Sequence, residues 1–399
     1  MTNFFQITHQ SKAERSRVGL INTFHGVVET PAFIFCGTKA TVKSVLPDQI
    51  RNANTQIILS NTYHLMIQPG EEIVAEEGGL QNFTKWRGPM MTDSGGYQIF
   101  SLGHGSVSEE IKGKNTNSKR KSLIKINEEG AIFKNYLNGD RISLTPERSI
   151  ELQRKFGADL IFVLDECTPY NVSKKYTENS MYLSHRWAER CLKSFNKSFS
   201  GYESRHGSSG PQQLYGIIQG GVYEDLRKIA CEETCSHDYN GLAIGGSLGG
   251  TKGQMHEIFS ICSICIDQTR PVHVLGIGGL DDILHGVSCG YDTFDCVSPT
   301  RIARHGIMLS FDKIKGINLN NSIYKNDHSP LDAQCHLNEI KNFSKAYVHH
   351  LFKSNEILGM VILSIYNIWF MNRFFSQIRN SIKDDKFNIY KNEVLSRLN

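Results

Sequence analysis

The sequence predicts an α/β protein built as a closed (β/α)8 barrel, and three observations support this fold class. Eight short apolar segments, rich in β-branched residues, recur along the 399 residues. They are apolar throughout rather than alternating, which is typical of strands buried on both faces of a parallel sheet. Several of the intervals carry helical patterns. A chain of this length usually forms two or three domains, but a (β/α)8 barrel stays one domain at about 250 residues and more.

The eight predicted strands end in Gly, Asp, Asn or Gln, or are closely followed by them. They are PAFIFCG (31–37), IILSN (57–61), MMTDSGG (90–96), LIFVLDE (160–166), YGIIQGG (215–221), GLAIGG (241–246), HVLGIGG (273–279) and TFDCVSP (293–299). Helices are predicted over 146–157, 223–233 and 281–290. Eight strand–helix units favour a closed barrel over an open doubly wound sheet.

Two regions depart from this alternation. Between Gly103 and Gly139 the chain reads GKNTNSKRKS and then IKINEEGAIFKNYLNG, which predicts a flexible basic loop followed by a hairpin inserted after the third strand. After Pro299 the pattern changes to loops and then helices. We therefore expect one barrel domain over 1–399, with a helical C-terminal subdomain at about 310–370.

Composition restricts the protein class only loosely. The net charge of +4 is compatible with nucleic-acid binding but is common in proteins that bind none. The N-terminus lacks the apolar run of a secretory signal, and the apolar stretch 357–371, interrupted by Ser364 and Asn367, predicts a buried helix rather than a membrane span. Ten cysteines without a small-scaffold spacing indicate reduced thiols and a cytoplasmic protein.

The candidate site consists of polar residues at the C-terminal ends of the strands, where such barrels place their active sites. These residues are Asp93, Ser94, Gly95, Gly96 and Tyr97 after the third strand, Asp165 after the fourth, Gln219 after the fifth, Gly246 after the sixth and Asp295 in the eighth. A single Asp at a strand end is more often a turn former, but the combination suits a planar heterocycle. Two carboxylates that face a sugar carbon can also carry out a double displacement, one as nucleophile and one as proton donor.

Other motifs are interpreted as structural. Cys262-x-x-Cys265 has a redox-like spacing but no second ligand pair, and the adjacent His349 and His350 point to different sides of a helix. The GIGG at 276–279 lacks the full dinucleotide-binding pattern. No metal site is predicted from these residues.

The order of the motifs resembles the tRNA-guanine transglycosylases of the bacterial type, over essentially the whole chain. The matching segments are TPAFIFCGTKATVK (30–43), NTYHL (61–65), TDSGGYQIFSL (92–102), LDECTP (164–169), YGIIQGG (215–221), AIGGSLGG (243–250), LGIGG (275–279) and FDCVSPTRIAR (294–304). The resemblance implies a (β/α)8 barrel that exchanges guanine at the wobble position of tRNA with a GUN anticodon for a 7-deazaguanine base, preQ1 or queuine. It also implies a homodimer that uses no redox cofactor.

Roles for individual residues follow from the same resemblance. It implies that Asp295 is the nucleophile toward C1′ of the ribose, that Asp93 is the general acid and base, and that Asp165 and Gln219 read the base edge. Ser94, Gly95, Gly96, Tyr97 and Gly246 would complete the base site, with Tyr97 stacked on the ring. The implied tRNA contacts are Gly276, Ile277, Gly278, Gly279, Leu280, Asp281, Asp282, Thr300, Arg301, Ile302, Ala303 and Arg304.

Two departures from the family pattern matter. Gly249 and Thr251 stand where relatives that use the aminomethyl precursor preQ1 usually carry Val and Glu, which suits a bulkier base such as queuine. Cys167 keeps the bacterial form, however, so both bases remain candidates.

The second departure concerns zinc. The family's C-terminal region usually carries a structural zinc on three cysteines and a histidine. Cys335 fills the first position here, but Leu337, Ile340 and Tyr366 occupy the others, and structural zinc needs four ligands. His336 and His349 lie at unmatched positions. We therefore expect no structural zinc, and a small hydrophobic cluster in its place.

Two other functions fit parts of the sequence. A non-catalytic tRNA-binding subunit would share the fold, but the presence of both Asp93 and Asp295 argues against it. A barrel glycoside hydrolase would use two carboxylates, but Asp165 and Gln219 favour a base over a sugar.

Overall fold

A computed structural model describes residues 3–98 and 123–398 of the chain. The strands are β1 (Phe5–Gln10), β2 (Arg17–Thr23), β3 (Gly26–Thr30), β4 (Ala32–Cys36), β5 (Ile58–Ser60), β6 (Met90–Thr92), β7 (Leu123–Asn127), β8 (Gly130–Lys134), β9 (Arg141–Leu144), β10 (Leu160–Phe162), β11 (His206–Gly207), β12 (Gly210–Pro211), β13 (Gln213–Ile218), β14 (Gly241–Ile244), β15 (Val272–Val274), β16 (Thr293–Cys296), β17 (Ile307–Met308) and β18 (Ile317–Asn318). Eight of them close into a barrel in the order β10-β13-β14-β15-β16-β4-β5-β6. Each overlaps one of the eight predicted segments, so the predicted fold class is confirmed.

The helices occupy intervals between these strands and the C-terminal region. They are α1 (Pro47–Asn52), α2 (Thr62–Ile67), α3 (Glu71–Glu76), α4 (Leu80–Thr84), α5 (Pro146–Phe156), α6 (Lys174–Phe195), α7 (Glu224–Ser236), α8 (Lys252–Cys265), α9 (Leu280–Ser288), α10 (Ser298–Ala303), α11 (Lys345–Lys353), α12 (Ile357–Lys383) and α13 (Phe387–Arg397), with a 3-10 turn at Ser322–Tyr324. The three predicted helices are confirmed as α5, α7 and α9, with ends that differ by at most three residues.

Helix α5 shows how the local sequence sets its ends. The Thr145 hydroxyl accepts a hydrogen bond from the backbone N–H of Arg148, and Pro146 fills the first helical position, where no N–H is needed. Gly157 ends the helix in the left-handed conformation with φ of 72°. The helix therefore begins and ends where its capping residues stand.

The inserted region contains the predicted hairpin and one further strand. Strands β7 and β8 pair antiparallel around the turn at Asn127–Gly130, and β9 adds to β8. The Asn127 side chain accepts hydrogen bonds from the backbone of Glu129 and Gly130, which stabilises the turn. The predicted basic loop, GKNTNSKRKS, lies outside the described residues.

The chain divides into two compact units. The first comprises residues 1–5, 22–26 and 59–275, and the second comprises 6–21, 27–58 and 276–399. In the first, β13 and β14 pair in parallel with Ile217 opposite Ala243; in the second, β16 and β4 pair in parallel with Asp295 opposite Ile34. The prediction of a single domain stays a prediction.

Helix α12 is the core helix of the C-terminal region. Within the described part of the chain it is the one helix long and apolar enough to cross a membrane, but 67% of its most apolar window is buried in the fold. Asn367 is fully buried at its centre and donates to the carbonyls of Pro299 and Ile307, while it accepts from the N–H of Leu309. The polar residue within the apolar stretch thus connects this helix to α10 and to the backbone at β17, as expected for a buried helix.

Candidate active site

The centre of the first unit's candidate site is the carboxylate of Asp165, which follows β10. The side chain is 5% exposed. Its Oδ2 accepts a hydrogen bond of 2.5 Å from Nε2 of Gln219, and its Oδ1 accepts one of 3.4 Å from the Ser94 hydroxyl. Burial raises the pKa of Asp165 to about 6, against the opposing effect of these two hydrogen bonds. Three predicted site residues from three strand ends are therefore brought together.

Two predicted glycines let the backbone approach these groups. A Cβ at Gly96 would lie 2.6 Å from the carbonyl oxygen of Asp165 and would also collide with its carboxylate. Gly246 has φ of +74°, and a Cβ there would collide with Oε1 of Gln219. The paired glycines after the strands are therefore required by close approach as well as by turns.

Asp93, which follows β6, is held by the start of α2. Its Oδ1 accepts a hydrogen bond of 2.8 Å from the N–H of Thr62, and its Oδ2 accepts one from the Asn61 amide. Asn61 also caps α2, because its Oδ1 accepts from the N–H of His64. The orientation of Asp93 is therefore fixed by a capped helix terminus.

Tyr97 lies four residues after Asp93. It is 46% exposed, so its ring is accessible for stacking.

Asp295 has its own set of donors in the second unit. It lies in β16 and is 9% exposed. Its Oδ1 accepts a hydrogen bond of 2.9 Å from the N–H of Gly276, and its Oδ2 accepts one of 3.4 Å from the thiol of Cys36. Cys36 ends β4, the strand that pairs with β16. Cys36 was not predicted as a site residue, although it is also a polar group at a strand end, like the aspartates that were.

The segments implied in tRNA contact differ in exposure. Leu280, Asp282, Thr300 and Ala303 are buried. Arg301, by contrast, is exposed on α10.

Arg304, which follows α10, is partly buried and donates to the carbonyl of Thr300 at 2.7 Å. Burial, with a contribution from Arg301, lowers the pKa of Arg304. The two guanidinium groups thus form the accessible cationic part of this segment, and the buried residues hold its shape.

The C-terminal residues do not fit the family's zinc. Leu337, Ile340 and Tyr366 are 5%, 2% and 2% exposed and present no thiolate or imidazole, which leaves Cys335 as the one matched donor. The Tyr366 hydroxyl donates to the Leu309 carbonyl and to Asp332.

His349, which lies at an unmatched position, hydrogen-bonds the protein backbone. The Nδ1 of His349 hydrogen-bonds the Leu319 carbonyl at 2.7 Å. Over residues 3–98 and 123–398, no three His, Cys, Asp or Glu side chains are grouped as metal ligands.

Eight parallel strands with carboxylates at their ends are the arrangement of a (β/α)8-barrel enzyme. The model of the family described as queuine tRNA-ribosyltransferase matches residues 12–399 of this chain. A queuine tRNA-ribosyltransferase of Roseiflexus sp. (strain RS-1) is 42% identical over 390 residues, 97% of this chain and 98% of the relative. One of Halothermothrix orenii is 39% identical over 398 residues, 100% of this chain and 98% of the relative. The chain belongs to the queuine tRNA-ribosyltransferase family and is a transferase.

Proposed function

We propose that this protein replaces guanine at the wobble position of tRNAs with a GUN anticodon by a 7-deazaguanine, in queuosine modification. The observation that carries the proposal is the buried Asp165, hydrogen-bonded to Gln219 and Ser94. Guanine and its 7-deaza analogues present N–H donors beside a carbonyl acceptor on one edge. A carboxylate accepts from those donors, while the Gln219 amide and the backbone at Gly246 meet the rest of the edge, and the exposed ring of Tyr97 stacks on the base.

The proposed reaction is a double displacement with two carboxylates. The Asp295 carboxylate attacks C1′ of the ribose and forms a glycosyl ester, while the bond to guanine breaks and Asp93 gives its proton to the departing base. The incoming base then loses a proton to Asp93 and attacks C1′, which releases the Asp295 carboxylate. Both half-reactions balance without a redox cofactor, so none is proposed.

The proposed tRNA contacts are of two kinds, ionic contacts to phosphates and contacts made by the protein backbone. The accessible guanidinium groups of Arg301 and Arg304 are suited to the phosphates on either side of the target nucleotide. The backbone from Gly276 to Asp282 is the second proposed contact. The target base must leave its stack to reach a buried carboxylate, as in other enzymes that act on a base.

The test is base exchange on unmodified tRNA. Purified protein, unmodified tRNA and labelled guanine are incubated, and label retained by the tRNA is counted. We expect label to accumulate in tRNAs with a GUN anticodon and not in others. A non-catalytic tRNA-binding subunit would bind tRNA without incorporating label, and a glycoside hydrolase would do neither, so either result would refute the proposal.

The identity of the natural base is tested with the same assay. Gly249 has φ of +107°, and a Cβ there would lie 2.7 Å from Cβ of Gln254, so this loop conformation has no room for the family's usual Val. Thr251 caps α8 by accepting from the N–H of Gln254, in place of an acidic residue. These features support queuine as the substrate. A kcat/KM for preQ1 equal to or higher than that for queuine would contradict this proposal.

We further propose that the protein binds no structural zinc. Burial of Leu337, Ile340 and Tyr366 stabilises the region by roughly 1.5–3 kcal/mol each, against roughly 10–16 kcal/mol for structural zinc in small peptides. Metal analysis of tag-free protein should find well under one zinc per chain. About one zinc per chain, lost together with folding on chelation, would contradict this proposal.

Assembly and location complete the proposal. The family resemblance supports a cytoplasmic homodimer with a single barrel domain. Analytical ultracentrifugation at micromolar concentration tests the dimer, and a monomer at every concentration would contradict it.

A further inference from the structure

Arg227, in the first turn of α7, has a guanidinium that is completely buried. Its Nε donates to the Gly221 carbonyl at 2.8 Å. Its Nη1 donates to the carbonyls of Ile218 and Gly245, both at 2.9 Å. Its Nη2 donates to the Ser247 carbonyl at 3.2 Å. One side chain thus hydrogen-bonds four backbone carbonyls.

The four carbonyls belong to two chain segments that follow adjacent strands. The first, 218–221, begins with the last residue of β13 and carries Gln219. The second, 245–247, follows β14 and carries Gly246. The two segments are in close contact, because a Cβ at Gly246 would collide with the Gln219 amide. Arg227 therefore cross-links the two segments that carry proposed base-reading groups.

The geometry requires an arginine. Its planar fork has five N–H donors in fixed directions, whereas a lysine has a single compact ammonium on a flexible stem. The backbone also turns tightly here: Gly220 has φ of +123°, and a Cβ there would lie 2.9 Å from the backbone nitrogen of Arg227. Neither segment can move relative to the other without breaking a charge-assisted hydrogen bond in a buried environment.

We propose that Arg227 is a positioning residue for base recognition, which holds the Gln219 amide and the Gly246 backbone at the separation that the base edge requires. This inference rests on the proposed function, since the two segments are assigned to the base by that proposal. Arg227 itself touches neither base nor ribose. Its effect should therefore appear in the KM for the base and leave the affinity for tRNA unchanged.

Arg154 on α5 provides a matched control. It is 1% exposed and also donates to four backbone carbonyls. These are the carbonyls of Phe195, Lys197, Glu203 and His206, at 2.6, 3.3, 3.2 and 2.6 Å. None of the four belongs to a segment assigned to the base or to tRNA. Arg154→Lys and Arg227→Lys therefore remove the same kind of structural interaction at different places.

The experiment compares Arg227→Lys with Arg154→Lys and the unmodified protein. We expect both variants to have a lower Tm, and only Arg227→Lys to raise the KM for guanine, by about ten-fold or more, since a 1 Å misplacement can cost on the order of 100-fold. The Kd for tRNA should stay within about two-fold, because phosphate contacts supply most of that affinity. Equal KM changes in the two variants, at equal loss of Tm, would overturn the inference.

Hydrogen exchange provides a readout that is independent of turnover. Arg227→Lys should accelerate amide exchange in segments 218–221 and 245–247 together, and Arg154→Lys should leave both unchanged. If Arg227→Lys does not fold, the unmodified protein is used: saturating guanine must slow exchange in both segments, and no change in either overturns the inference. An unmodified protein that incorporates no guanine overturns the proposed function, and with it the assignment of Arg227 to base binding.

Discussion

Asp165 and Asp295 are both acidic residues at the C-terminal end of a barrel strand, but the hydrogen-bond donors around their carboxylates differ. The Asp165 carboxylate is held by side-chain donors, the Gln219 amide and the Ser94 hydroxyl. The Asp295 carboxylate is held by a main-chain N–H, at Gly276, and by a thiol, at Cys36.

This difference matches the two tasks that the proposed function gives to these carboxylates. An amide at 2.5 Å fixes the direction of the Asp165 carboxylate, as recognition of a base edge requires. A thiol is a weak hydrogen-bond donor, so the oxygen of Asp295 that faces Cys36 is held less firmly than one that faces an amide. The environment of Asp165 is therefore suited to recognition of a base edge, and that of Asp295 is suited to nucleophilic attack. The predictions below test this division.

The largest expected effect is at Asp295. Asp295→Ala should reduce exchange below detection, because no glycosyl ester can form, while the Kd for tRNA should stay nearly unchanged. Asp295→Asn should trap no covalent tRNA adduct on denaturing gels, whereas the unmodified protein should. Asp312→Asn, a change at an exposed carboxylate, serves as the control. Normal rates in either Asp295 variant would refute its role as nucleophile.

Asp93 should show the next largest effect. Asp93→Asn keeps the size of the side chain but removes proton transfer, which typically contributes about 10²- to 10⁴-fold. We expect kcat to fall within that range and the pH dependence of kcat to change, while guanine and tRNA still bind. An unaltered rate and pH profile would show that Asp93 has only a structural role at the start of α2.

The sequence predicted the barrel and its strand-end residues because both follow from local patterns. Continuous apolar runs identify strands that are buried on both faces, and the residues after them lie at one end of a parallel sheet. Arg227 was missed because no local pattern shows which backbone carbonyls a side chain meets once the segments after β13 and β14 come together. Cys36 was missed because its partner, Asp295, lies 259 residues away. A helical periodicity analysis could have identified Arg227, since it lies on the buried face of α7 with Leu226 and Ala230.

Base recognition should weaken in mildly acidic solution. In the proposed function, Asp165 accepts hydrogen bonds from the donors of guanine in its ionised form, and burial raises its pKa to about 6. We expect kcat/KM for guanine to fall below pH 6, approaching about ten-fold per pH unit. Asp165→Asn should have a lower kcat/KM and lack this component of the pH dependence. If kcat/KM of Asp165→Asn falls below pH 6 in the same way as that of the unmodified protein, the decrease is caused by another group.

The same pKa shift affects stability with a defined sign. The pKa of Asp165 is raised from 3.8 to about 6 on folding. Between these values the folded protein binds more protons at this group than the unfolded chain does, so its contribution to stability decreases as pH rises through this window. Asp165→Asn should remove this decrease. The measurement is the Tm difference between the variant and the unmodified protein at the two ends of the window.

The smallest effect is expected at Cys36, and its signature is a difference between half-reactions. The Cys36 thiol donates a weak hydrogen bond of 3.4 Å to the Asp295 carboxylate, a contact that is lost when this oxygen is bonded to the ribose. Cys36→Ala should therefore make Asp295 a better nucleophile and a poorer leaving group, so that the glycosyl ester forms faster and breaks down more slowly. We expect the trapped adduct at steady state to increase about three-fold, which corresponds to about 0.7 kcal/mol, within the range for a weak hydrogen bond.

Cys36→Ser restores a donor and should return the adduct to the level of the unmodified protein or below, since a hydroxyl is a stronger donor than a thiol. Cys335→Ala, which removes a buried thiol outside the site, should change neither half-reaction. Single-turnover measurements with tRNA alone, and then with guanine added, separate the two steps. Equal changes in both steps after Cys36→Ala would mean that the thiol only packs against the strand ends. Of the two donors described here for Asp295, the main-chain N–H of Gly276 would then be the one that matters, and the contrast with Asp165 would be between a backbone N–H and a side-chain amide.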